Sequence, residues 1–312
     1  MRKLNVLILL CTFGVLCLLQ YFNIPINAEI LTGNSNTQNG EPITRQESDS
    51  IRIVPLIPSS TELICAMGLE KYLVAASHYC NYPPEIVNKL PRIGDQNLNI
   101  EKIVSLKPTI LLDTNSIHKR YEELFKRLNL PYVNLQIESP EELGTAAKAI
   151  GEILTGQTGN QSYIQIASAF AKQWEQDYSN LKVFKPEQKP RVYIEIWNNP
   201  IQACGGNNNM NSILEIAGGI NIFAGQKDFP SINSEMMIKE NPDIILLAYP
   251  EADAEAIRNR PGWNIIKAVK NGHIFPINQD IMVRPSPRNI DAMKKINEII
   301  NQVVNNENKP IE

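Results

Sequence analysis

Short apolar strand-like runs alternate with helix-like runs along most of this chain, and this alternation limits its fold more than any other feature. The strand-like runs are rich in β-branched residues. They are "IRIVPLI", "YLVAAS", "TILLD" and "YVNLQI" in the first half, and "RVYIEIW", "DIILL" and "HIFPIN" in the second. Because strands that alternate with helices pair in parallel, the sequence predicts an α/β protein with mainly parallel sheets.

One long amphipathic segment interrupts this rhythm. Between Gln161 and Val183 the apolar residues recur at steps of three and four, without Gly or Pro. This spacing predicts a single helix, placed at 159–185, between the two halves of the chain.

The second half echoes the first. "IEKIVSLKPTILL" resembles "SEMMIKENPDIILL", and Glu101 and Glu235 each precede a proline, Pro108 or Pro242, by seven residues. We therefore expect two similar α/β lobes, at 51–158 and 186–304, joined by the long helix and followed by a polar tail at 305–312. A cleft between two lobes is a favoured place for a small ligand.

The N-terminus has the pattern of an export signal. Arg2 and Lys3 precede an apolar run of 14 residues, which is shorter than the roughly 20 that span a membrane. We predict a signal peptide at 1–28 and a polar flexible linker at 29–50. Cys11 and Cys17 each follow Leu rather than a small residue, which argues against lipidation. The alternative is an uncleaved N-terminal anchor.

Charge and motifs exclude several function classes. The net charge of −3 becomes about −5 without the signal, and no strongly basic stretch remains, so nucleic acid is not expected as a partner. Hydrolase and P-loop signatures are absent from the sequence, and its three histidines have no metal spacing. The sequence predicts neither an enzyme nor a resident cofactor or metal. A disulfide between Cys80 and Cys204 stays open, and Cys65 is predicted to be a core residue.

Charged residues near the C-terminus form the first candidate ligand site. Asp280 and the segment "RPSPR", which carries Arg284 and Arg288, follow the predicted strand "HIFPIN" and precede the last helix. Arginine on such a loop suits bidentate recognition of amides, carboxylates or phosphates. The alternative is a helix entry, in which Pro287 sets the first turn and Arg288 is surface charge.

Aromatic residues after strand ends form a second candidate set. Tyr79 and Tyr82 lie in "SHYCNYPPE", Trp197 begins "WNNPIQACGG", and Phe229 lies in "KDFPSINSE". Open sheets bind ligands at the carboxyl ends of their strands. The alternative is packing in the core or in a lid, which we favour for Tyr82.

Five segments in this order, "IPSSTEL", "YCNYPPE", "NIEKIVSLKP", "AGGINIF" and "RPSPR", resemble the Fe/B12-type periplasmic substrate-binding proteins of ABC importers, above all the vitamin B12 (cobalamin) binders. The resemblance covers about 51–304. It implies the class III periplasmic-binding fold, two lobes on a backbone helix. It also implies a monomer in the periplasm or on the cell surface that delivers a ligand from the interlobe cleft to a permease dimer.

The resemblance also implies roles for single residues. Tyr79 and Phe229 would pack on a corrinoid, with Trp197 added to the ligand-binding set from its place after a strand. Asp280 and Arg284 would hydrogen-bond the peripheral amides of the macrocycle. Glu101 and Glu235 match the two carboxylates that dock onto permease arginines. For these two, the alternative is acids favoured by a helix dipole.

The chain departs from the cobalamin binders at three positions. Asp95, Thr114 and Phe229 stand where enterobacterial members carry tryptophan, which predicts a more polar cleft in which Asp95, Gln96 and Asp113 face the ligand. Haem or an Fe(III)–siderophore is therefore an alternative to cobalamin. A membrane-tethered sensor or scaffold with this fold is another.

Overall fold

The computed structural model describes residues 51–181 and 189–307. The predicted signal peptide and linker, and residues 308–312 of the predicted tail, lie outside the described residues. The described chain has two separate sheets with helices around them, so the predicted α/β class with mainly parallel sheets is confirmed.

The first sheet consists of three parallel strands in the order β1-β2-β3. These strands are β1 (Ile53–Pro55), β2 (Ile110–Thr114) and β3 (Tyr132–Leu135). Every residue of β1 and β2 is buried, as expected for parallel strands covered on both faces.

The second sheet has five strands in the order β5-β4-β7-β8, with β6 beside the start of β4. They are β4 (Arg191–Asn198), β5 (Ile201–Ala203), β6 (Ile220–Asn221), β7 (Ile244–Leu247) and β8 (Ile274–Pro276). All neighbours are parallel except β4 and β5, which form an antiparallel hairpin.

Helices connect and cover the strands. In chain order they are α1 (Pro58–Ala66), α2 (Pro84–Val87), α3 (Ile100–Ser105), α4 (Glu122–Arg127), α5 (Glu142–Thr158), α6 (Ser162–Ser179), α7 (Asn209–Ala217), α8 (Ser234–Glu240), α9 (Ala254–Arg258), α10 (Lys267–Lys270), α11 (Gln279–Val283) and α12 (Asn289–Glu307). Single 3-10 turns occur at Glu70–Tyr72, Lys119–Tyr121 and Trp263–Ile265.

The helix between the two sheets is shorter than the predicted 159–185. Gly159 ends α5 in the left-handed conformation, with φ 75°. The Asn160 side chain then accepts a hydrogen bond from the amide of Ser162 at 3.0 Å, so α6 begins only there. It ends at Ser179, and the last residues of the predicted helix, 182–185, lie outside the described residues.

Helices α5 and α6 pack against each other at a very short distance. A Cβ atom added at Gly151 of α5 would lie 2.6 Å from Cβ of Ala167 and 2.7 Å from the carbonyl oxygen of Tyr163, both on α6. We expect Gly151→Ala to destabilise the protein by about 1–3 kcal/mol, because the two helices must move apart. Urea denaturation of the variant measures this loss.

Gly156 of the same helix provides a matched control. A Cβ atom at this exposed position meets nothing within 4 Å. Gly156→Ala should therefore stabilise the protein by about 0.5–1 kcal/mol through the higher helix propensity of alanine. Equal effects at the two glycines would contradict the close packing at Gly151.

Two elements differ from their predictions. The run "YLVAAS" is not a strand, because Leu73 bridges β1 at Ile53 and Ala76 already bridges Arg92, so no continuous ladder forms. The predicted loop after β8 contains α11, whose first turn holds Asp280 and whose start is capped by the side chain of Asn278, 2.8 Å from the Asp280 amide.

A single buried apolar cluster extends through both lobes. It includes Ile53 and Leu112 of the first sheet, Leu154 of α5, and Leu214 and Ile300 of the second lobe. The lobes are therefore continuous in their core, and the polar contacts between them lie outside it. Within 51–181 and 189–307, every helix is too short or too polar to cross a membrane.

Candidate functional site

Arg284 lies at the point where the two lobes meet. It directly follows α11, and its Nη1 donates to Oδ1 of Asn81 at 2.7 Å, while Nη2 donates to the carbonyl of Tyr79 at 3.2 Å. Nη2 also lies 2.8 Å from Oδ1 of Asp280. Asn81 completes the network by donating to Oδ2 of Asp280 at 2.7 Å. Three predicted site residues, Tyr79, Asp280 and Arg284, are thus brought together.

Local hydrogen bonds hold each side of this junction in place. In the second lobe, the Asn289 amide donates to the carbonyls of Ile281 and Arg284, both at 2.8 Å, and its oxygen accepts from the Ser286 amide at 3.0 Å. In the first lobe, Arg92 donates to the carbonyls of Ser77 and Cys80, both at 2.8 Å. Both loops are therefore fixed by buried or half-buried polar side chains.

Glu62 of α1 belongs to the same network, although it was not among the residues that the sequence indicated for the site. Its residue is 3% exposed, and Oε1 lies 3.0 Å from Nη1 of Arg284 and 3.6 Å from Nη1 of Arg288. Arg288 also stacks on the ring of Tyr82 at 4.3 Å. One sequence feature could have identified Glu62 as part of the site: it is a carboxylate inside the otherwise apolar run "TELICAMG". Such groups are rarely buried without a charged partner.

All four aromatic candidates expose large parts of their side chains, including Tyr82 at 42%, for which packing in the core or in a lid was expected. The exposed fractions are 61% for Tyr79, 46% for Trp197 and 44% for Phe229. The Trp197 indole donates to the carbonyl of Asn199 at 2.9 Å. Phe229 lies in a segment that pairs with β5, the hairpin partner of Trp197, because the Ala203 amide donates to the Pro230 carbonyl. In the described residues, neither side chain joins the Arg284 network.

Asp95 contacts a buried histidine through its backbone carbonyl. His118 Nε2 lies 2.8 Å from the Asp95 carbonyl, and its Nδ1 lies 3.2 Å from Oδ1 of Asp113. Burial alone would lower the pKa of His118, but the hydrogen bonds to Asp113 and Asp95 raise it above its ordinary value. Asp113 is fully buried, so the expectation that it faces a ligand is wrong in this conformation. Thr114 is buried as well, and its hydroxyl lies 3.0 Å from that of Ser60.

Glu101 and Glu235 occupy equivalent places in the two lobes. Each is the second residue of a short helix, α3 or α8, and each is exposed. Both helices begin with an asparagine cap: Asn99 accepts from the Lys102 amide, and Asn233 accepts from the Met236 amide, both at 2.9 Å. The repeat in the sequence thus corresponds to a repeat in local structure.

The cysteines of the described chain are free. Cys80 lies beside the hydroxyls of Thr61 and Ser77, and Cys204 beside Asn208, so these two do not form the disulfide that the sequence left open. Burial, followed by nearby carboxylates, raises the pKa of the Cys65 thiol to about 12. In this part of the chain, no three His, Cys, Asp or Glu side chains are placed to hold a metal ion.

Known proteins resemble this chain in sequence and in structure. It is 28% identical over 251 residues to an uncharacterized ABC transporter substrate-binding lipoprotein of Bacillus subtilis, covering 80% of this chain and 79% of that protein. It is 26% identical over 253 residues to a vitamin B12-binding protein of Vibrio cholerae, covering 78% and 87%. A crystal structure of a possible iron-binding, periplasmic solute-binding protein from Staphylococcus epidermidis superposes with a TM-score of 0.68 at 26% identity, covering 80% and 98%.

The sequence profile described as "periplasmic binding protein" matches residues 53–281, which include both sheets, the long helices α5 and α6, and Asp280. The motif resemblance and the two-lobed α/β architecture agree with this match. The chain belongs to the periplasmic binding protein family.

Proposed function

We propose that this protein is the extracytoplasmic substrate-binding protein of an ABC importer, and that it binds cobalamin or a related corrinoid between its lobes. Family membership and the names of the two relatives support this proposal. The carrying observation is the ring of Tyr79, 61% exposed at a junction where its own carbonyl accepts from Arg284 of the other lobe. A flat aromatic face at this position suits a flat macrocycle.

Aromatic surface and a few polar groups supply the proposed affinity, and no covalent step is needed. Trp197 and Phe229 add exposed rings from the second lobe, and half-exposed Asp95 adds a carboxylate from the first. Asp280 and Arg284 contribute less direct contact than the resemblance implies, because the protein itself occupies most of their hydrogen-bonding capacity.

Glu101 and Glu235 are the proposed contacts with the importer. One exposed carboxylate on each lobe, at the start of equivalent helices, suits two symmetry-related basic sites on a permease dimer. The binding protein itself is proposed to act as an exported monomer.

Haem or an Fe(III)–siderophore is the second candidate ligand. The Staphylococcus epidermidis structure is described as possibly iron-binding. The half-exposed carboxylate of Asp95, at a position that the resemblance matches to a tryptophan of the enterobacterial cobalamin binders, makes the proposed cleft more polar. A more polar cleft favours a charged or hydroxyl-rich ligand.

A titration separates these ligands. Cyanocobalamin, haemin and ferrichrome are added separately to the purified protein while tryptophan fluorescence is recorded, since Trp197 is exposed where quenching is expected. We expect micromolar or tighter binding of cyanocobalamin. Tight binding of haemin or ferrichrome alone would replace the corrinoid proposal, and no response to any of them would contradict ligand transport of this kind.

Two variants test the aromatic surface. Tyr79→Ala and Phe229→Ala should each weaken binding of the identified ligand about tenfold or more, because each removes apolar area worth about 1.5–3 kcal/mol when buried. Leu128→Ala is the control, since Leu128 is similarly exposed but follows α4, away from these loops. Unchanged affinity in both aromatic variants would show that these rings do not contact the ligand.

A further inference from the structure

The lobes are joined by polar side chains that are far apart in sequence. Arg284 reaches Glu62, Asn81 and the carbonyl of Tyr79, which lie 222, 203 and 205 positions away along the chain. All three partners belong to the first lobe, whereas Arg284 is fixed to the second by Asn289. The guanidinium therefore connects the two lobes across their junction.

The protein uses nearly all the donors of this guanidinium. A guanidinium carries five N–H groups. The two on Nη1 are directed to Glu62 and Asn81, and the two on Nη2 to Tyr79 and Asp280. Within the described residues only Nε–H has no such partner. Three of these four contacts join the lobes, and the fourth, to Asp280, lies within the second lobe, so a ligand could take over the first three only by breaking contacts between the lobes.

Glu62 is the buried charge at the centre of this junction. The carboxylate is 1% exposed, whereas the Arg284 side chain is 15% exposed and that of Arg288 is 17% exposed. Its Oε2 atom is buried and has no hydrogen-bond partner among the described residues. A buried carboxylate that loses its cationic partners is strongly destabilising, so Glu62 favours the arrangement that keeps both arginines close.

Apolar packing does not close the junction beside Glu62. A cavity of about 320 Å³ lies there, lined by residues of both lobes, among them Cys65, Tyr82, Pro287 and Arg288. At the edge of this cavity the lobes meet through Arg288, which stacks on Tyr82 at 4.3 Å and lies 3.6 Å from Glu62, so their separation here depends on the contacts of the two arginines.

We propose that Glu62 is a positioning residue, which holds Arg284 and thereby fixes the separation of the two lobes before a ligand arrives. This inference rests on the proposed function only for its effect on ligand affinity. A preset cleft binds more tightly because less of the binding free energy is spent on selecting the competent conformation.

Spin labels placed in the two lobes test the inference without a ligand. After Cys11, Cys17 and Cys65 are replaced by serine, cysteines are introduced at exposed Lys126 and Lys239, and distances are measured by pulsed electron paramagnetic resonance. Glu62→Ala should broaden the distance distribution toward longer values. Glu62→Gln, which keeps the shape and an acceptor oxygen, should restore much of the original distribution, and Glu85→Gln at an exposed site of α2 should leave it unchanged.

The double variant with Arg284→Ala identifies the route of the effect. If Glu62 acts through Arg284, each single variant and the double variant give the same broadened distribution. A distribution for Glu62→Ala identical to that of the unsubstituted protein would overturn the inference. If Glu62→Ala does not fold, Glu62→Gln and Arg284→Lys are compared in its place, and unchanged distributions in both would overturn it equally.

Ligand affinity supplies the second measurement. With the ligand identified by titration, Glu62→Ala should raise Kd about tenfold, as expected if about one molecule in ten keeps the competent arrangement. Saturating ligand should then narrow the distribution again. Broadened distances in a protein that binds none of the three ligands would refute the proposed function and leave the role of Glu62 standing.

Discussion

Replacing Arg260 with alanine should destabilise the protein by about 3–5 kcal/mol, a larger loss than we expect from any of the other substitutions. Glu195 of β4 is completely buried, and its two oxygens lie 2.5 and 2.7 Å from Nη1 and Nη2 of Arg260. The variant leaves this carboxylate inside the sheet with the hydroxyls of two tyrosines, Tyr193 at 3.1 Å and Tyr249, but without a cationic partner. Urea denaturation measures the loss.

Two comparisons separate charge burial from lost packing. The guanidinium of Arg260 also stacks on Trp263 at 4.6 Å, so part of the loss is contact area. The double variant Glu195→Gln with Arg260→Met removes both charges and keeps most of the volume, and it should recover most of the stability. Arg258→Ala, which breaks an exposed pair with Glu255, should change stability by less than about 1 kcal/mol. A similarly small effect of Arg260→Ala would refute the buried-charge argument.

Asp113→Ala should cost about 3 kcal/mol, because three donors lose their acceptor in or near the core. Oδ2 of Asp113 accepts from the His118 amide at 2.7 Å and from the Tyr132 hydroxyl at 2.9 Å, and Oδ1 faces the His118 ring. Asp113→Asn keeps the shape and an acceptor and should lose less. A loss below about 1 kcal/mol for the alanine variant would show that this network contributes little.

The same pair predicts how stability changes with pH. The pKa of His118 is raised above its unfolded value of 6.5, so the stabilisation is complete below about pH 6.5 and is lost as the pH rises through the folded value. The stability difference between the unsubstituted protein and Asp113→Ala should therefore be larger at about pH 6 than at about pH 9. Urea denaturation at both pH values measures it, and a difference that grows with pH would contradict the assignment.

Much of the architecture could be predicted from local sequence. The buried strands β1, β2 and β7 are mostly β-branched or leucine-rich runs, and such runs are buried on both faces wherever the lobes lie. Predictions of single elements were wrong where a polar contact, or a change of the backbone hydrogen-bond partner along the segment, determines the local structure. "YLVAAS" has strand composition, but its hydrogen bonds pass from Ile53 to the segment near Pro91 within a few residues.

In the candidate site, too, some residues could be predicted from the sequence and others only from the structure. Motif order indicated Tyr79, Asp280 and Arg284, and the structure brings these three together. The order of the motifs did not indicate that the Arg284 guanidinium donates to Glu62 and Asn81. These partners lie 222 and 203 residues away along the chain, and only the docking of the two lobes brings them close.

By itself, the sequence determined the α/β class, the repeat of two lobes and the family, because periodicity and motifs are local properties of the chain. Only the tertiary structure decided that Arg284 spans the lobes and that Asp113 is buried against His118 instead of facing a ligand. Hydrogen-bond donors and charges are satisfied by whichever groups folding brings near, and that proximity is a property of the packed molecule.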